Sequence, residues 1–310
     1  MIRRLATRLL SIVLLVVVGC FFAFMLGYFG PGDPVRNILG ETWSTPYQYA
    51  QLRHELGLDR NVFVQFGDFL WSAVHGDLGV SWQRGQPVGS LVRDGIAITL
   101  PLTLAAAFLT TLLGVPLGII AAFRHNSPLD RAIVLSTITV HAVPAYVMAP
   151  MLLVLLVLNL GWLPVTLGWP GLFSSGAVIP VVTLMLGPLV FVVRQTRNAV
   201  LEVLSEDYIR TAHAMGLRRR TVLVHHIVPN AMGPVINTTG LIFGGLLVNS
   251  IFVESIFNIP GFGSLLFNSA LNQDYPLLIG CTVVAMVVIS IAYFVTDLVQ
   301  AIVDPRIRLA

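Results

Sequence analysis

Apolar residues in this chain run together instead of alternating or spreading. Six blocks stand out: Leu9–Phe29, Ile96–Phe123, Ala132–Asn159, Val178–Val193, Met232–Val253 and Leu277–Val303. Five are long enough to cross a hydrocarbon core of ~30 Å as helices rising ~1.5 Å per residue. The fourth is short and holds Pro180 and Pro188, so it must borrow flanking residues, out to Thr196. No block alternates with period two, which argues against a β-barrel. The pattern predicts an all-α integral membrane protein with six transmembrane helices. Arginines precede the first block, as in a secretion signal. Its apolar core is ~20 residues instead of roughly 7–15, and no small-residue cleavage site follows, so it reads as a retained first helix.

Composition agrees. Of 310 residues, 56% are hydrophobic and 11% charged, and the mean hydropathy is +0.84. A soluble domain carries about 25% charged residues. All 18 basic residues are arginine, and 13 of them fall at the termini and in the second-to-third and fourth-to-fifth loops. By the positive-inside rule, both termini and those loops are expected in the cytoplasm. The predicted layout is a first helix at 1–30 and an extracytoplasmic region at 31–94. A five-helix core at 95–303 follows, with a basic cytoplasmic loop at 197–231, and then a tail at 304–310. Cys20 and Cys281 both lie in apolar blocks and read as packing residues.

The outer region has its own helix signals. Thr45 followed by Pro46 starts a helix over Tyr47–Leu56. Asn61 caps a second, Val62–Val74, with Val62, Phe66, Phe69, Leu70 and Ala73 on one face. Gly76, Gly79, Gly85 and Gly89 then break the pattern. This is a small helical cap, too short for a separate enzyme domain.

Few polar side chains lie inside the apolar blocks: His141, Asn237, Asn249, Glu254 and Asp297. Such residues are costly in lipid and invite a functional reading. His141, Asn249 and Glu254 are candidate pathway or gate residues, although buried hydrogen bonding or an interfacial position would explain each as well. Pro101, Pro116, Pro144 and Pro150 predict kinks, which suit moving and static bundles alike.

No catalytic constellation is present. There is no GxxxxGK[ST] phosphate loop, and without lysine the chain cannot supply a P-loop lysine. No His or Cys pair has metal-ligand spacing, since adjacent His225 and His226 point ~100° apart on a helix. No catalytic residue, metal or cofactor is expected in this chain.

The segment RTAHAMGLRRRTVLVHHIVPNA, 210–231, breaks the apolar trend. Ser205 can cap a helix with Glu206 and Asp207 in its first turn. Tyr208, Ile209, Ala212 and Met215 would form one ridge, and Gly216 would end the helix at C′. Arg218, Arg219 and Arg220 would open a second element, Thr221–Val228, closed by Pro229. Three readings compete. They are a topology-fixing loop at the lipid headgroups, a helix-turn-helix for nucleic acid, and a docking helix moved by a soluble motor. Tethering to the bilayer argues against nucleic acid. The other two stay open on these residues alone.

The same segment resembles the EAA loop of ABC-importer permeases, which reads E-A-A, three residues, G, nine residues, I-x-L-P. Arg210 and Thr211 replace the first two positions, and His226 replaces the isoleucine. RTAHAMGL followed by His226, Asn230 and Ala231 is similar to the dipeptide/oligopeptide branch. Further matches run along the chain: Pro31-Gly32-Asp33-Pro34, LGLDRNVFVQF (56–66), GDLGVS (76–81), GWLP (161–164), FVESIFNIPGFG (252–263), Asp274-Tyr275-Pro276 and Asp304-Pro305-Arg306-Ile307-Arg308. The chain resembles the B-type permease subunit of such an importer.

The resemblance implies a type I ABC importer permease fold. It implies a homologous second permease, two ABC ATPase domains that bind ATP and magnesium, and an extracytoplasmic binding protein. The coupling residues would be Tyr208, Arg210, Thr211, Ala212, Met215, Gly216, Leu217 and Arg218. Phe257, Pro260 and Phe262 would face the binding protein. The setting would be the bacterial inner membrane and its lipid. Peptides are the expected substrate, with nickel complexes, glutathione or haem as alternatives within the branch. A stand-alone secondary transporter or channel is the alternative outside it.

Overall fold

The structure is a computed structural model that describes residues 2–29, 33–39, 45–165 and 167–303. Pro31, Gly32 and the 304–310 tail with its Asp-Pro-Arg-Ile-Arg motif lie outside the described residues. The described residues form helices plus one isolated bridge, Val80 with Pro87.

Among the described residues, four stretches are long and apolar enough to cross a membrane: Val88–Phe123, Ser175–Leu204, Arg219–Ile256 and Tyr275–Ile302. A fifth span exists if the pair Pro128–His141 and Ala145–Asn159 is counted as one. That pair bends by 98° between His141 and Ala145, at the kink that Pro144 predicts within the Ala132–Asn159 block. Pro144 supplies the cause: it has no N–H to donate, and it drives the residue before it out of helical geometry. Among the described residues the apolar part of the first helix, Ile2–Phe29, is Ile12–Met25.

The chain divides into two compact units, 1–99 with 260–290, and 100–259 with 291–310. The first contains α1 (Ile2–Phe29), α2 (Pro34–Leu39), α3 (Pro46–Glu55) and α4 (Val62–Val74). The capping signals read from the sequence are in place. Thr45 and Gln48 form a reciprocal capping box on α3, and the Asn61 side chain accepts from Phe63 N on α4. The apolar face of α4 meets α1: Phe66 lies 5.4 Å from Phe21 and 5.6 Å from Phe24, ring to ring. Tyr49 donates to Asp33 at 2.7 Å, and this bond pushes the phenol's pKa up. Val88 and Val92 at the start of α5 (Val88–Phe123) pack with Phe262, Leu265, Leu277 and Cys281.

One contact of this unit joins two of the sequence motifs. Asp274 is 1% exposed. Its carboxylate accepts from the Ser81 hydroxyl, from Trp82 N at 3.1 Å and from Gln83 N at 3.4 Å. The GDLGVS loop is thereby tied to the residue that opens the last long helix, 193 positions away in sequence.

The second unit is built around α8 (Val178–Leu204), the most enclosed of the long helices, with 61% of its apolar window buried. It runs past the expected limit at Thr196, because Arg197–Leu204 continue the helix and its inner face stays apolar through Ala199, Val200 and Val203. Helices α6 (Pro128–His141), α7 (Ala145–Leu153) and α11 (Val228–Ile256) pack on it. α5 also approaches α8 closely. A Cβ at Gly118 would sit 2.6 Å from Thr196 Cβ and 2.7 Å from the Val193 carbonyl oxygen. Two short helices, α9 (Asp207–Ala214) and α10 (Arg219–Val222), lie between α8 and α11 in the chain. Helices α12 (Phe262–Leu271) and α13 (Tyr275–Val303) complete the chain.

Candidate coupling site and pathway residues

The basic segment folds as a helix, a glycine turn and a second helix, with two corrections to the sequence reading. Ser205 does not cap α9. It stays helical as the C-cap of α8, and its hydroxyl donates back to the Glu202 carbonyl at 2.7 Å. Glu206 holds the extended N-cap position, with no side-chain cap bond. Pro229 does not close the second element either. A π-turn over Leu223–Ile227 runs directly into α11, and Pro229 lies in the first turn of α11, where its missing N–H costs little. Arg219–Ile256 is thus one long apolar stretch of 38 residues.

The glycine turn is as expected. Gly216 has φ +76°, a left-handed conformation that favours glycine. Its N–H donates to the His213 carbonyl at 3.0 Å, and Leu217 N donates to the Ala212 carbonyl at 3.3 Å. This is the Schellman arrangement that satisfies the last carbonyls of a helix.

The predicted ridge on α9 divides. Ile209 and Ala212 are each 2% exposed and face inward. They join a cluster with Ala122, Ala199, Val200, Val203, Val222, Ile227 and Ala231. Tyr208 and Met215 are 42% and 69% exposed, and Arg210, Thr211, Gly216, Leu217 and Arg218 share that outer side. Arg210 pairs with Asp207 at 3.1 Å, an exposed i,i+3 contact of little energetic weight. α9 therefore has an anchored inner face and an open polar outer face. Ala212 belongs to the anchor.

Beside this block is a polar cluster that the sequence reading did not single out. Asp130, 3% exposed, accepts from Arg197 through both oxygens, at 2.7 Å from Nε and 2.8 Å from Nη2. Asn126 N donates to the same carboxylate at 2.9 Å. A guanidinium can only donate, so His125 Nδ1, 2.9 Å from Arg197 Nη2, accepts. The signal was available: Asp130 is the one acid in a loop that otherwise carries Arg124, His125 and Arg131.

The pathway candidates separate by exposure. His141 Nδ1 lies 2.8 Å from the Gly187 carbonyl, which can only accept, so Nδ1 donates. The ring makes an edge contact with Phe191 at 4.9 Å and is exposed. Asn249 is exposed too, its amide donating to Gly245 O at 2.9 Å. Glu254 is fully buried. Of the residues expected to face a binding protein, Phe257 and Phe262 are 3% and 6% exposed, whereas Pro260 is exposed.

These features define an α-helical membrane protein. The chain belongs to the family described as binding-protein-dependent transport system inner membrane component, matched over 114–309, with the family's N-terminal component matched over 1–104. It is therefore a permease subunit of a binding-protein-dependent ABC importer. It is 34% identical to the Escherichia coli K12 dipeptide transport system permease protein DppB, over 93% of this chain and 92% of the relative. The oligopeptide transport system permease protein OppB of the same organism is 32% identical over 92% of each chain. A probable peptide ABC transporter permease of Sinorhizobium fredii, y4tP, is 33% identical over 97% of each. Among solved structures, the inward-facing MetNI methionine ABC transporter matches with a TM-score of 0.60 at 17% identity, over 69% of this chain and 96% of that one. That likeness supports the type I permease fold.

Proposed function

We propose that this chain forms half of the translocation pathway of an ATP-driven peptide importer of the bacterial inner membrane. The observation that carries the peptide reading is identity of 32–34% to dipeptide and oligopeptide transport permeases over more than nine-tenths of the chain. With six spanning helices, the first within 1–30, both termini lie on one side of the membrane, and the arginine-rich loops support the cytoplasm as that side. A homologous second permease completes the pathway, and an extracytoplasmic binding protein delivers substrate near Pro260. Two partner ATPase domains bind ATP and magnesium. They engage the outer face of α9 through Tyr208, Arg210, Thr211, Met215, Leu217 and Arg218. His141 and Asn249 line the pathway, and buried Glu254 supports it.

The test is reconstitution of the complete complex in proteoliposomes with labelled di- and oligopeptides. ATP-dependent uptake that requires the binding protein is expected, as is no ATP turnover by this chain alone. Uptake driven by a proton gradient without ATP would reject the reading. Gly216→Leu separates coupling from folding. Space around a Cβ at this position is open, so the cost is the left-handed conformation, about 1–2 kcal/mol. The variant should insert normally but lose binding-protein stimulation of ATP hydrolysis.

A further inference from the structure

The inner face of α9 is seated on one apolar cluster drawn from α5, α8, α10, the π-turn and α11. α6 contributes no residue to that cluster among the described residues. α6 packs along α8, and polar contacts join the two at both ends of α6. At the first turn of α6, Asp130 holds Arg197 through two short bonds. At the last residue of α6, His141 donates to the carbonyl of Gly187 on α8. The 98° bend into α7 follows directly.

We infer that Asp130 and Arg197 are positioning residues for coupling. They fasten α6 to the block that carries α9, so that a displacement of α9 moves α6 and its His141 end as well. Three observations support this. First, the fork-on-carboxylate geometry fixes direction as well as distance, which a single ion contact does not. Second, the carboxylate is 3% exposed and also accepts from Asn126 N, so bulk water does not compete for it, and the nearest other group, His125 Nδ1 at 3.6 Å, lies beyond hydrogen-bond distance. Third, Arg197 is adjacent to Thr196, where α5 and α8 are in backbone-close contact at Gly118. A load on α8 there is borne by a tightly packed helix pair. Buried ion pairs are weak evidence for stability, because desolvation offsets the attraction. A geometric role accounts for this one.

The inference rests on the reading of α9 as the ATPase contact, so the test has a part that needs no transport. In the complete complex in lipid nanodiscs, spin labels are placed at the exposed positions Ala214 on α9 and Ser136 on α6, after Cys20→Ala and Cys281→Ala. Asp130→Asn should broaden the distance distribution between the labels, and Arg197→Lys should broaden it less. In proteoliposomes at matched complex content, substrate moved per ATP hydrolysed should fall roughly 2- to 30-fold, with hydrolysis itself retained. A distance distribution and a coupling ratio at the unsubstituted values in Asp130→Asn would overturn the inference. If the unsubstituted complex transports without ATP, the functional reading fails, and the distance measurement still decides whether α6 follows α9.

Discussion

Replacing Asp274 tests whether the outer loop is held by one buried carboxylate. In Asp274→Ala the Ser81 hydroxyl, on a residue 1% exposed, loses its acceptor, and Trp82 N loses a bond of 3.1 Å. Gln83 N, at 3.4 Å and on an exposed residue, can turn to water and adds little. Buried Leu277 N also loses a long bond of 3.5 Å, and Trp82 is half-buried. Each orphaned donor costs about 1–3 kcal/mol when fully buried, so the total is about 2–6 kcal/mol. Asp274→Asn is milder. Its amide oxygen can keep Trp82 N, but its NH2 faces Ser81 Oγ, which already accepts from Arg84 N at 3.0 Å. The hydroxyl can turn and the loss is about one bond, roughly 1 kcal/mol. The assay is thermal unfolding of the purified protein in nanodiscs, followed by tryptophan fluorescence, since Trp82 stands edge-on to Tyr275 with ring centroids 6.0 Å apart. Limited proteolysis should also cut within 76–87 in Asp274→Ala first. Alanine as stable as the parent, or asparagine worse than alanine, would refute the accounting.

Two further expectations use the same measurement with a transport readout beside it. Gly118→Leu should prevent stable folding, because its Cβ falls 2.6 Å from Thr196 Cβ and 2.7 Å from a backbone oxygen, whereas Gly187→Ala, with nothing within 4 Å, should unfold like the parent. Ile209→Ala should lower stability by about 2–5 kcal/mol by opening a cavity beneath α9. Met215→Ala, at a side chain 69% exposed, should leave stability unchanged and reduce ATP-linked uptake.

How much of this was legible in the sequence depends on the range of the physics involved. The α3 and α4 starts at Thr45 and Asn61 are decided by capping within three residues, and they appear where the sequence places them. Gly216 was readable for the same reason, since a C′ glycine answers to the helix just before it. Ser205 was misread because two helices compete for it. Which one wins depends on how far α8 continues, and that is set by burial of Val200 and Val203 against other helices. The ridge on α9 was read as one surface because spacing gives a face and not what covers it.

The sequence by itself determined the membrane class, the helical character and the family, along with the local punctuation of caps and glycine turns. These follow from hydropathy summed over a window and from backbone preferences of single residues, neither of which needs a partner. Tertiary structure alone decided that Asp274 holds the GDLGVS loop, that Asp130 meets Arg197, and that Ile209 and Ala212 turn inward while Met215 faces out. It also set the size, 98°, of the kink that Pro144 signals in the third apolar block. The partners in the two polar contacts lie 193 and 67 positions apart, and which distant groups meet is fixed only when the helices between them pack.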